Sequence, residues 1–265
     1  VIAYNYTNNK ENLLVKLSQP TLDYIRNVVS TADMVKIDSI IIEPDRVRGI
    51  DENHTVFILQ NTDVPALEVG SIGLNRLNVF TSRFDLGKSM SDFTVDAVVE
   101  GDDPETSYAR SLTMKAKGVK VEYRCANPGV LKAPRLVHDV VRYRIQLNPE
   151  ALMMMQKGMA AMSADTVTFV GSSKGVHFEM SDINADKMQY QVTDVVHVIP
   201  LENADDQDDD DEEDDGDFSF SHGYQLKTLL PLFKANPIAD IFFTVPEGML
   251  KIVVNDLDVY VLPGV

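Results

Sequence analysis

The sequence is short of the features that usually announce a chemistry. It carries one cysteine, Cys125, in 265 residues, so no disulfide framework can form within the chain and a reducing compartment suits it. No basic cluster adjoins that thiol, so nothing local would activate it. The five histidines, His54, His138, His177, His197 and His222, are scattered, and none stands at ligand spacing from another histidine or the cysteine. No Gly-x-Ser-x-Gly or His-Glu-x-x-His stretch occurs. Gly171-Ser172-Ser173-Lys174-Gly175 has the composition of a phosphate loop but not its spacing, and reads as a turn between strands. Asp45, Asp51 and Asp63 are loop carboxylates whose geometry nothing sets. The expectation is a protein that is not an enzyme, with no metal and no cofactor.

Long apolar runs are missing too. None approaches the roughly 20 residues of a membrane span. Residues 1–11, with Asn5, Asn8, Asn9, Lys10 and Glu11, lack the apolar core of a secretory signal. An intracellular, non-secreted protein away from membranes is expected.

Positive charge is scarce only in appearance. The formal net charge is −17, yet residues 202–217 hold 12 acidic residues and no basic one. Setting those 12 aside leaves 29 acids against 24 bases, a net of −5 for the body of the chain. A run of like charge repels itself, so 202–217 reads as a solvated acidic loop, with capture of Ca²⁺ or a basic protein as the alternative.

What is present is a repeat. Gly73 to Val95 recurs as Gly223 to Val245, 150 residues later. Each copy opens on glycine and is expected to start a helix there. The apolar side is Leu74, Leu77, Phe80 and Phe84 in the first copy, and Leu226, Leu229, Leu230 and Phe233 in the second. Each then passes into a strand with the same tripeptide, Phe93-Thr94-Val95 and Phe243-Thr244-Val245. A second pair of helices opens on Gln19-Pro20 and Asn148-Pro149, where proline suits the first helical turn and Asn148 can cap. Their apolar faces are Leu22, Ile25 and Val29, and Leu152, Met155, Met159 and Met162. Met153 and Met154 turn away from that face, so one of them meets solvent or another surface.

Short β-branched segments fill the remainder of the first half: Leu13–Leu17, Ile37–Ile42, Val47–Ile50, Thr55–Gln60, Ala66–Val69, Phe93–Val99, Arg110–Lys115 and Val119–Arg124. The second half offers Arg142–Leu147, Thr166–Val170, Gly175–Met180, one long alternating strand over Lys187–Ile199, and after the acidic run Phe218–Ser221, Ile241–Val245, Leu250–Val254 and Asp258–Leu262. Many short strands with two helices per half predict an α+β fold of antiparallel sheets with helices on one face. The predicted organisation is an N-terminal arm (1–11), a first domain (12–125), a proline-punctuated connector (126–141) and a second domain (142–265) carrying the acidic loop (202–217).

The helices carry the informative charges. Their bases are Arg26, Arg76, Arg83, Lys157, Lys227 and Lys234. Arg76 and Arg83, seven apart, share a face, as do Lys227 and Lys234. An ordinary solvated helix face accounts for such charges equally well. Pro231 interrupts the last helix and is expected to kink it.

In this order the chain resembles a DNA sliding clamp, the processivity factor of replicative polymerases, of the trimeric eukaryotic, archaeal and tailed-phage type. The likeness rests on the duplicated element order with the connector segment NPGVLKAP, the second-half opening RYRIQLNPEAL, the strand DKMQYQVTDVV and the terminal LDVYVLP. The connector is closest to the phage branch, which would place the protein in a host-cell cytoplasm. The resemblance implies a homotrimeric ring with sheets outside and two helices per domain lining a hole for duplex DNA. It implies open edge strands near Val119–Cys125 and Lys187–Val195. The partners it implies are DNA bound without sequence preference, a DNA polymerase and an ATP-dependent clamp loader. Residues facing DNA would be Arg26, Arg76, Arg83, Lys157, Lys227 and Lys234. A partner peptide would dock on Val130, Leu131, Leu136, Val137, Tyr260, Leu262 and Pro263, although a closed seam between domains explains those aliphatics as well. The rival reading is a β-rich, non-enzymatic assembly protein that captures basic partners through its acidic run, in the manner of a histone chaperone.

Overall fold

The structure, a computed structural model, describes residues 13–60, 67–89, 91–101, 103, 106–134, 141–172, 175–197, 220–242 and 248–264. The first half of the chain runs β1 (Leu13–Lys16), α1 (Gln19–Met34), β2 (Ser39–Ile42), β3 (Val47–Ile50), β4 (Val56–Gln60), β5 (Ile72–Asn75), α2 (Leu77–Lys88), β6 (Thr94–Glu100), β7 (Tyr108–Ala116) and β8 (Val119–Arg124). The second runs β9 (Val141–Gln146), α3 (Pro149–Met162), β10 (Thr166–Ser172), β11 (Gly175–Ser181), β12 (Lys187–Val192), β13 (Asp194–His197), β14 (Phe220–Gln225), α4 (Leu226–Ala235), β15 (Ile238–Phe242), β16 (Leu250–Val254) and β17 (Leu257–Val261). The order strand, helix, strands, helix, three strands is thus traversed twice. By packing, the described residues of Val1–Val29, Asp38–Val47 and Asn61–Lys132 form one unit. Those of Ser30–Ile37, Arg48–Gln60 and Ala133–Val265 form the other.

In the first unit an antiparallel sheet runs β1-β6-β7-β8, and β2 pairs with β5. Strand β6 alternates as a one-sided strand should, burying Val95, Ala97 and Val99. Helix α2 lays Leu77, Phe80 and Phe84 against this sheet. Phe84 meets Phe93 edge-on at 5.3 Å, and Phe80 meets Tyr123 of β8 edge-on at 5.1 Å. In the second unit one sheet runs β12-β11-β10-β14, and β13-β9-β15-β16-β17-β4-β3 form another. Asn148 caps α3 as expected, its side chain accepting from the Ala151 N–H at 2.8 Å. Met153 is the exposed methionine of α3.

Helix α4 continues through Pro231. An interior proline costs about 3 kcal/mol. Leu226, Leu229, Leu230, Leu232 and Phe233 are all buried, and each contributes roughly 1.5–3 kcal/mol, so burial outweighs the lost bond.

Four local expectations are corrected. Gly73 and Gly223 do not start helices; they lie in β5 and β14, opposite Ile41 and Thr168, and the helices begin at Leu77 and Leu226. Gly73 serves close approach, since a Cβ there would sit 2.4 Å from the Ala126 carbonyl oxygen. The shared tripeptide does not mark equivalent strand positions: β6 opens at Thr94, whereas β15 already covers Ile238–Phe242, and 243–245 lie outside the described residues. The long strand over Lys187–Ile199 is broken at Thr193, because β12 pairs with β11 while β13 crosses to β9. Residues 67–69 form no strand; Ala66 lies outside the described residues.

A further repeat is visible only in three dimensions. Lys16 on β1 stands opposite Asp96 on β6, and Arg144 on β9 stands opposite Asp240 on β15, a base facing an acid at the same place in each half. Arg144 holds Asp240 with two bonds, 2.7 and 3.1 Å, while Asp96 takes its short contact, 2.6 Å, from Lys115.

Candidate functional site

Three features could carry function: helix cations, an apolar cluster on β4 and β17, and two open sheet edges. The cations come first. Arg26 on α1, Lys157 on α3, and Lys227 and Lys234 on α4 are exposed. Lys227 lies 3.8 Å from Asp165, but both side chains are more than four-fifths exposed, so the pair holds little.

Arg76 and Arg83 are brought together by Tyr123. Arg76 caps α2 in a left-handed conformation, φ 53°, a costly place for a side chain unless its surroundings enforce it. Tyr123 supplies that: its hydroxyl donates to the Asn75 carbonyl and accepts from the Asn75 N–H at 3.0 Å, holding the residue before the cap. The two guanidinium carbons stand 5.9 and 6.0 Å from the centre of the Tyr123 ring, within cation–π range. Burial pushes the Tyr123 hydroxyl up to about 12, so it remains a neutral donor. Arg83 also donates through Nη1 to the Glu122 carbonyl at 2.9 Å.

The apolar cluster comprises Phe57, Leu59, Met249 and Tyr260, with Ile50, Val141 and Leu262 packed against it. It arises because β4 is apolar on both faces. Tyr260 pairs in register with Phe57, and their rings stack at 4.8 Å. Of the residues expected to bind a partner peptide, Tyr260 and Leu262 therefore belong to one cluster, with Tyr260 only 3% exposed. The Leu262 N–H donates to the Thr55 carbonyl at 2.8 Å, and Pro263 is partly buried beside it in sequence. Val130 is 76% exposed on a single 3-10 turn, Pro128–Val130, capped by the Asn127 side chain. Leu131 packs near Gly73. Leu136 and Val137 lie outside the described residues. Phe57, Leu59 and Met249 were not singled out from the sequence, although the two-sided hydrophobicity of Val56–Gln60 is the signal that marks a doubly covered strand.

The edges are the third feature. Among the described residues, β8 ends the first unit's four-stranded sheet and β12 ends that of the second. In an antiparallel strand one residue's N–H and C=O point to the same side, and successive residues alternate. The Cys125 N–H donates to the Arg110 carbonyl on β7, so Lys120, Glu122 and Arg124 direct their backbone groups outward. The Asp182 N–H donates to the Asp186 carbonyl in the β11–β12 hairpin, which by the same alternation turns Lys187, Gln189 and Gln191 outward on β12.

Two side chains weighed from the sequence for other chemistry, Cys125 and Asp51, are described. Burial pushes the Cys125 thiol up to about 12. The Asp51 carboxylate is occupied, accepting from the Thr55 and Val56 N–H groups at 2.7 Å each and from the Thr55 hydroxyl at 3.0 Å. Asp63 lies outside the described residues, as does the acidic run. Among the described residues no group of His, Cys, Asp and Glu is placed to hold a metal ion, and no helix is long and apolar enough to cross a membrane.

Among the described residues the geometry is that of a duplicated α+β protein with two α-helices in each half. Comparison with solved structures narrows the class. The chain matches PCNA of A. fulgidus, solved with the C-terminal region of FEN-1 bound, at 13% identity and a TM-score of 0.55, covering 96% of this chain and 99% of that one. It matches proliferating cellular nuclear antigen of Entamoeba histolytica at 12% identity and a TM-score of 0.56, covering 95% and 98%. PCNA of Thermococcus kodakaraensis matches at 11% identity and a TM-score of 0.52, covering 95% and 100%. No family of sequences and no curated protein matches the chain. The chain has the fold of the PCNA-type sliding clamps.

Proposed function

We propose that the protein is a DNA sliding clamp: a non-enzymatic homotrimeric ring that encircles duplex DNA, is opened by an ATP-dependent loader and tethers a replicative polymerase. The observation that carries this reading is a pairing the chain makes with itself. Strand β17, the last of the second half, pairs antiparallel with β4, the third strand after that half's counterpart helix α1. The equivalents in the duplicated order are β8, the last strand of the first half, and β12, the third strand after α3. Among the described residues each of those ends a four-stranded sheet, as β1 and β14 do at the opposite ends. Three copies joined β8 to β12 would repeat, between chains, the contact already made within one, and head-to-tail contacts of this kind close into rings.

The remaining features suit the same reading. Arg26, Arg76, Arg83, Lys157, Lys227 and Lys234 lie on or at the helices, where diffuse contacts to phosphates would be independent of sequence. Leu262, partly exposed at the margin of the buried cluster of Phe57, Leu59, Met249 and Tyr260, would take an apolar anchor from a partner's tail; PCNA of A. fulgidus, of similar fold, was solved with the C-terminal region of FEN-1 bound.

The test is topological. Light scattering should give the mass of three chains. Protein loaded onto a nicked circle should stay bound in about 1 M salt, where charges are screened beyond roughly 3 Å. One cut that linearises the circle should release it. Equal loss from circle and linear DNA would end the clamp reading.

A further inference from the structure

Arg83 makes a contact that a residue devoted to DNA would not need. Its Nη1 donates to the Glu122 carbonyl at 2.9 Å. Glu122 is one of the three residues of β8 whose backbone faces outward, so this carbonyl is an acceptor that a pairing strand would use. An open strand edge invites unwanted pairing, and proteins blunt such edges with charged side chains. The Arg83 guanidinium carbon stands over the Tyr123 ring, 6.0 Å from its centre, so the side chain has a second resting place when the carbonyl is taken.

We propose that Arg83 guards the open edge of β8. While β8 is unpaired, the guanidinium occupies the Glu122 carbonyl. Strand β12 of a second copy displaces it on pairing, and the freed guanidinium, still held over Tyr123, becomes available to a phosphate. Assembly and exposure of this cation are then one event. The inference rests on the ring reading above for the identity of the incoming strand, and that identity is argued from the β17–β4 pairing within the chain.

Two variants separate the guard from simpler roles. Arg83→Met keeps an unbranched apolar stem but removes every donor. Arg83→Gln removes the charge and keeps an N–H that can reach a carbonyl. Sedimentation equilibrium of the full chain, with thermal melts to check folding, measures the concentration at which the assembly half dissociates. The guard predicts that Arg83→Met lowers it about five- to tenfold, since no bond need be broken before pairing, while Arg83→Gln stays near the parent protein. Both variants should bind short linear DNA more weakly at low salt, since each has lost a cation. Equal tightening in the two variants would assign the effect to relief of charge repulsion and overturn the guard. Unchanged or weaker assembly of Arg83→Met would overturn it as well and leave the ring intact. A parent protein that stays monomeric at every concentration, as do both variants, would instead sink the ring reading and the guard with it.

Discussion

Phe57 and Tyr260 stand opposite each other on β4 and β17, and their rings stack with centroids 4.8 Å apart and planes 10° from parallel. Residues 203 apart in sequence thus share one pairing site, and the stack fastens the strand pair that joins the two halves of the chain. Tyr260→Ala should destabilise the protein by about 3–5 kcal/mol, the usual cost of truncating a buried aromatic side chain. Tyr260→Phe should cost much less. Urea unfolding of the three proteins measures both.

Leu262 offers a cleaner probe of the partner surface, because it sits at the margin of that cluster and not in its centre. In the clamp proposed above, Leu262→Ala should weaken binding of a partner's apolar tail peptide about tenfold or more in calorimetry, as loss of a hot-spot contact does. Melting temperature should move little. Unchanged affinity in the folded variant would remove Leu262 from the site.

Gly73 and Gly118 should respond oppositely to added side chains. A Cβ at Gly73 would meet the Ala126 carbonyl at 2.4 Å, and backbone cannot swing aside. Gly73→Ala should cost about 1–3 kcal/mol by overpacking. Gly118 has φ 74° with nothing within 4 Å, so Gly118→Asn should be nearly neutral, since asparagine tolerates the left-handed region. Chemical denaturation of the two variants checks the contrast.

Glu179 gives a pH signature. Its carboxyl is held below the ordinary range, first by the His177 hydrogen bond, then against the opposing effect of burial by Gln189 and Lys187. A depressed carboxylate stabilises the fold fully above its unfolded value, near 4.5, and that contribution is lost as pH falls through the lower folded value. Glu179→Ala should therefore be less stable than the parent at pH 7, and the gap should close progressively below about pH 4. A gap that is constant from pH 7 to pH 2 would show that charge is not its cause.

Lys227 and Lys234 are exposed, Lys227 with only a solvated neighbour in Asp165, and Arg76 rests over the Tyr123 ring, so replacing all three by alanine should leave the protein folded and the mass of the proposed assembly unchanged. Binding to short linear duplex at low salt should weaken, and its dependence on salt should flatten, because fewer counterions are released on binding. A salt slope equal to that of the parent would place these side chains away from DNA.

Much of the fold was legible because side-chain period is a local property. The buried stripes of α1, α2 and α4 were read from spacing alone, as was the Asn148 cap, and β3 coincides with Val47–Ile50. The misreadings all concern partners distant in sequence. Gly73 looked like a helix start because nothing nearby reveals that Ala126 presses on it. The alternation of Lys187–Ile199 is continuous, yet the chain changes sheets at Thr193 because β11 and β9 claim its two parts.

The sequence by itself determined the repeat, the α+β class, the amphipathic faces and the cations carried by the helices, since each depends on composition and periodicity within a dozen residues. Only the tertiary structure decided which strands keep an open edge, that Phe57 completes the cluster of Tyr260, and that Arg83 closes on the Glu122 carbonyl. Pairing is chosen by packing between segments far apart in the chain, and a backbone acceptor has no residue type by which a sequence could betray it.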